Sequence, residues 1–71
     1  MSILEDLADG LARDALSLER DEDDKLVDQI AIAIGATSQT LEEAYLTAIR
    51  VRRAERRARA MILERQSETD G

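Results

Sequence analysis

The chain has 71 residues, of which 44% are apolar and 37% charged, with a formal charge of −6. That length holds one small domain with a thin core, and one aromatic (Tyr45), no proline and three glycines leave too little material for a β-sandwich or barrel. With no Cys and no His, thiol and Ser-His catalysis, disulfide staples, zinc-finger sites and haem ligation are excluded.

The first predicted element is an amphipathic helix over residues 3–19. Ser2 with Glu5 three residues later has capping-box spacing. Leu4, Leu7, Ala8, Leu11, Ala15 and Leu18 follow at helical spacing and read as the core-facing stripe. Gly10 costs the helix about 1 kcal/mol relative to Ala, which six matched apolar positions outweigh.

Residues 20–24 form an acidic connector. Its carboxylates can cap and charge the first turn of a second helix, where the macrodipole favours negative groups. That helix is placed at 24–34, with Leu26, Val27, Ile30, Ala31 and Ile34 on one side and Gly35 as the left-handed residue that ends it. The alternation Ile30-Ala-Ile-Ala-Ile34 also suits a strand. A lone strand would have no pairing partner in this chain, so the helix is favoured.

Thr37 or Thr40 can cap the third helix, Thr40 having Glu43 at the capping-box offset. No Pro or Gly interrupts the chain from there to residue 66, so one helix is expected over 38–66, about 43 Å long at ~1.5 Å per residue. The whole is then a single all-α domain, residues 1–66, with a frayed polar tail at 67–71. A compact chain of this size has a radius of gyration near ~11 Å, so part of that helix must protrude.

Apolar residues change pattern along it. From 41 to 49, Leu41, Ala44, Tyr45, Leu46, Ala48 and Ile49 cover most of the circumference, which calls for burial on several sides. From 50 to 65 the apolar set narrows to Val51, Ala54, Ala58, Met61 and Ile62, among seven arginines. A narrow, alanine-rich stripe lets another helix approach closely, and a second chain is the natural source of that helix.

Charge is also segregated. Residues 1–28 hold ten acidic and three basic side chains; residues 50–65 hold seven Arg and two Glu. Such ends favour folding back or an antiparallel dimer over a nucleic-acid complex, because the net field repels phosphate. Asp21, Asp23, Asp24 and Asp28 resemble a calcium loop only superficially. EF-hand spacing needs Gly at position 26 and Glu at 32, where this chain has Leu26 and Ile32. No metal, no cofactor and no enzymatic activity are expected. The longest apolar run, Ile30–Ile34, is far short of the ~20 residues that span a bilayer. The acidic start, Met-Ser-Ile-Leu-Glu-Asp, lacks the basic region of a signal peptide. A cytoplasmic location without membrane association is the expectation.

One spacing carries family content. Ile30-Ala31-x-x-Ile34-Gly35-x-Thr37-x-x-Thr40-Leu41-x-x-x-Tyr45, within residues 26–50, resembles the helix-turn-helix of bacterial transcriptional regulators. In that arrangement Ala31 permits close helix crossing, Gly35 supplies the positive φ of the turn, Thr37 caps the second helix, and Ile34, Leu41 and Tyr45 seal the core. The resemblance implies base reading by the early exposed residues of the second motif helix. Here these are Ser38 and Gln39, which can read bases, and Glu42 and Glu43, which oppose phosphate.

Three functional readings follow. In the first, this is a small acidic helical regulatory protein that binds another protein, such as a DNA-binding regulator that it sequesters in the manner of antiactivators. It docks through Val51, Ala54, Ala58, Met61 and Ile62, flanked by Arg50, Arg53 and Arg57, and forms a homodimer. In the second, it is a dimeric helix-turn-helix DNA-binding protein using Ser38, Gln39, Arg50, Arg52, Arg53 and Arg56. A purely structural helical dimer or assembly subunit is a third possibility.

Overall fold

A computed structural model describes residues 2–21 and 23–70; Met1, Glu22 in the acidic connector and Gly71 at the end of the polar tail lie outside them. Three helices follow one another, α1 (Ile3–Leu18), α2 (Leu26–Gly35) and α3 (Gln39–Asp70), and no strand occurs among the described residues. The fold is all-α with a long C-terminal helix.

α1 starts where Ser2, in extended backbone, accepts the Glu5 N–H on its Oγ at 3.1 Å. Its buried face differs from the expected stripe. Ala8, Ala12, Ala15 and Leu16 are inside, whereas Leu7, Leu11 and Leu18 are exposed. The cause lies on the facing helix. Tyr45 and Ile49 of α3 are bulky and fully sequestered, and close helix packing needs small residues opposite large ones. The alanine line therefore turns inward, and the leucines rotate to its edge.

The connector is held by its own carboxylates. Asp24 accepts the Arg20 N–H on Oδ2 and the Leu26 N–H on Oδ1, each at 2.9 Å, and Asp21 Oδ1 accepts from the Asp23 N–H at 2.9 Å. Asp24 thus closes the loop and supplies a donor-satisfying oxygen to the first turn of α2. Those two backbone donors hold its carboxyl below the ordinary 3.8.

α2 is a helix, not a strand, with Val27 and Ala31 buried and Leu26, Ile30 and Ile34 half-buried. Gly35 does not supply a positive φ: no described residue has one. Ala36 stays right-handed (φ −62°, ψ −28°), and the N–H groups of Thr37 and Ser38 both return to the Ile34 carbonyl. The chain passes into α3 through a tight right-handed turn. The Glu42 carboxylate lies against Gly35: a Cβ there would meet its oxygen at 2.6 Å, a contact with the end of a flexible side chain that a shift of Glu42 would relieve. The cap of α3 is neither Thr37 nor Thr40 but Ser38, whose Oγ accepts the Leu41 N–H at 3.1 Å. Ser38 immediately precedes the observed start, so its oxygen meets the third helical N–H, whereas the Thr37 hydroxyl turns back to the Ile34 carbonyl at 3.5 Å.

α3 runs four residues beyond the expected end, through the first four residues of the supposed tail. Nothing between Gln66 and Asp70 breaks a helix, and Arg65 reaches Glu68 one turn on at 3.9 Å. At 32 residues it is about 48 Å long, which accounts for molecular extents of 52 × 31 × 14 Å and a radius of gyration of 14.8 Å. Its early part, with Tyr45 and Ile49 buried and Leu41, Ala44, Leu46 and Ala48 half-buried, packs on α1 and α2. Tyr45 is pinned further: its hydroxyl donates to the Val27 carbonyl at 2.9 Å. Beyond Ile49, apart from a half-covered Arg52, every described side chain is exposed.

Candidate functional site

The rod formed by the second half of α3 carries the sequence-predicted docking residues. Val51, Met61 and Ile62 are 62%, 68% and 57% exposed, and Ala54 and Ala58 are exposed between them. Helical geometry places Val51, Ala54, Ala58 and Ile62 along one side, with Met61 at its edge. Leu63, also exposed, lies off that line.

The arginines divide into two groups. Arg52 makes a bidentate pair with Asp9 of α1, Nε to Oδ1 at 2.6 Å and a second guanidinium nitrogen to Oδ2 at 2.7 Å. Arg53 reaches Glu19, at the end of α1, at 2.7 Å. Hydrogen bonding to Arg52 holds the Asp9 carboxyl below its ordinary value and raises the Arg52 guanidinium in turn. The segregated charges of the sequence are therefore partly spent within the chain, strapping α1 to the base of the rod. Arg50, Arg56 and Arg57 have no carboxylate within ion-pair distance among the described residues, and Arg59 has only Glu55 on its own helix, at 3.0 Å.

The residues of the DNA reading are scattered in role. Ser38 spends its hydroxyl on the cap of α3, Gln39 leans to Glu43 at 3.5 Å, and the Glu42 carboxylate lies against Gly35. Of the arginines named for phosphate, Arg50 and Arg56 are free and Arg52 and Arg53 are neutralised.

Two surface features were absent from the sequence reading. One is the apolar edge of α1, where Ile3, Leu7 and Leu18 are 79%, 56% and 67% exposed. Its signal was the line Ala8, Ala12, Ala15 and Leu16, which matches helical spacing as well as the leucines do. The other is a groove of about 440 Å³ between the N-terminal half of α1 and α3. Ala8, Ala44 and Ala48 are its covered lining residues, and Thr47, Val51, Glu5, Asp9 and Glu43 stand more exposed around them. No helix is long and apolar enough to cross a membrane among the described residues, and no group of three or more potential metal-ligating side chains occurs there. Comparison with known proteins returns nothing: no family model, curated protein or solved structure matches the chain.

Proposed function

We propose that this chain is a small regulatory protein that acts by binding another protein through the rod of α3, in the cytoplasm and without catalysis of its own. The observation that carries this reading is the exposure of Val51, Ala54, Ala58 and Ile62 on one side of a helix that its own domain leaves uncovered. Such a side, with anchors at i, i+3, i+7 and i+11, fits helix-in-groove recognition, and unpaired Arg50 and Arg57 beside it favour an acidic rim on the partner. A DNA-binding regulator that is sequestered by this contact is one such partner; the analogy is to small acidic helical antiactivators.

Affinity capture from native lysate with wild type and Met61→Asp or Ile62→Asp baits tests it. A protein recovered by the wild type, lost with both variants and shown to bind directly in titration calorimetry supports the reading. Recovery of the same proteins by all baits overturns it.

The helix-turn-helix reading is the competitor, favoured by the three-residue turn that brings α2 to the capped start of α3. It requires phosphate to compete with Asp9 and Glu19 for Arg52 and Arg53. Sequence-specific DNA affinity that falls steeply with salt and is lost on Arg50→Ala with Arg56→Ala would place it first.

A further inference from the structure

We infer that the rod of α3 seats in the acid-rimmed α1/α3 groove of a second copy of this chain, reciprocally, in an antiparallel two-fold dimer centred near Val51. The inference rests on the reading of the rod as a docking face and names the occupant of that face. A regulatory partner that takes the rod must then displace the second copy.

Three observations converge. The first is continuity. Ala44, Thr47 and Val51 in the groove lie on the same side of α3 as Ala54, Ala58 and Ile62 on the rod, so one small-residue seam runs through both. A two-fold interface needs one self-complementary patch. Antiparallel pairing about Val51 sets Ala44 opposite Ala58 and Thr40 opposite Ile62, so the seam of one copy covers the seam of the other.

The second is charge. Glu5 and Glu43 on the groove rim have no cation within ion-pair distance among the described residues. The same pairing brings them to the level of Arg57 and Arg59, which flank the rod seam on its two sides. Acid rim and basic rod belong to the same chain, but α3 is one straight element, so its rod cannot fold back into its own groove. Only another copy can bring them together.

The third is area. The accessible surface is 5722 Å² for 7.9 kDa, whereas a compact folded monomer of that mass exposes about 4,400 Å². The surplus of about 1,300 Å² exceeds the ~800 Å² per partner that a standard stable interface covers.

Sedimentation velocity over a concentration series, with far-UV circular dichroism as the fold control, tests the inference. The expected result is a species of twice 7.9 kDa. Glu43→Arg and Thr47→Glu, both exposed and both outside the rod, should weaken it about tenfold or more with helicity unchanged. Arg57→Glu should weaken it as well, and Glu43→Arg combined with Arg57→Glu should recover most of the loss. The chain has no native cysteine, which permits an orientation test. Val51→Cys should oxidise to a disulfide-linked dimer, while Ser67→Cys, with its two copies about 48 Å apart in this arrangement, should not.

A monomer at every concentration overturns the inference. So does a dimer lost with Met61→Asp but indifferent to Glu43→Arg and Thr47→Glu, or one trapped by Ser67→Cys. The two readings are separable. If the chain proves monomeric yet captures a protein with wild type and Thr47→Glu but not Met61→Asp, the dimer is wrong and the docking face stands.

Discussion

One helix serves two physical regimes. From Gln39 to Ile49, α3 packs against the head: Tyr45 and Ile49 are buried, the tyrosine hydroxyl is bonded to Val27, and α1 and α2 cover one side, leaving Thr40, Glu43 and Thr47 exposed. From Arg50 to Asp70 it is a bare rod whose described apolar side chains all face outward. The first part is helical because tertiary contacts demand it. The second persists on the propensity of Ala, Arg, Glu, Met and Leu and on the helix already nucleated behind it. Stability therefore belongs to the base of α3, and the apolar side chains left uncovered on this helix belong to its far end. Arg52 and Arg53 sit at the boundary, tying the middle of α1 (Asp9) and its C-terminal end (Glu19) to the point where burial stops.

This contrast can be broken most directly at Tyr45. Tyr45→Ala removes the largest buried side chain and should cost about 3–5 kcal/mol. With eight buried residues among those described, four of them alanine, that suffices to unfold the head, read as loss of the cooperative melt in circular dichroism. Ser38→Ala removes the oxygen that caps α3 and should cost about 1 kcal/mol, or roughly 4–8 °C in Tm. Gly10→Ala should act in the opposite sense. Nothing lies within 4 Å of a Cβ placed there, so the variant should gain about 0.5–1 kcal/mol from helix propensity. Ala58→Glu on the rod, measured at a concentration where the chain is monomeric, should stay within about 0.5 kcal/mol of wild type. A large loss there would show that the rod helps hold the head together.

Protonation sharpens the same boundary. Asp9 and Asp24 have folded-state values below the ordinary 3.8, Asp9 chiefly through Arg52 and Asp24 through two backbone donors. Each adds stability that is present above 3.8 and is withdrawn as pH falls through the lowered value. Arg52→Ala should therefore lower Tm at neutral pH and make the acid-side decline shallower. Tyr45 is opposite in sign. Burial, with Asp28 adding to it, raises its phenol above 10.0, so the stabilisation is present below that value and lost as pH rises past it, when the unfolded chain ionises first. Tyr45→Phe should give up about 0.5–1.5 kcal/mol at neutral pH for the lost hydrogen bond and fall less on the alkaline side, as a melting series across pH 9–11 would show.

The chain itself determined that there are three helices, that the third outruns the domain, and that its apolar pattern narrows after residue 49. Period, caps and breakers are properties of neighbours along the sequence, and they act locally. The tertiary structure alone decided which side of α1 is buried, that Gly35 takes no positive φ, which carboxylates claim Arg52 and Arg53, and where the acid-rimmed groove opens. In α1, two helical lines of apolar residues compete for one inward position. The bulk of Tyr45 and Ile49 across the interface decided for the smaller set, Ala8, Ala12, Ala15 and Leu16. Volume complementarity of that kind involves residues far apart in the chain, and no reading of α1 by itself contains it.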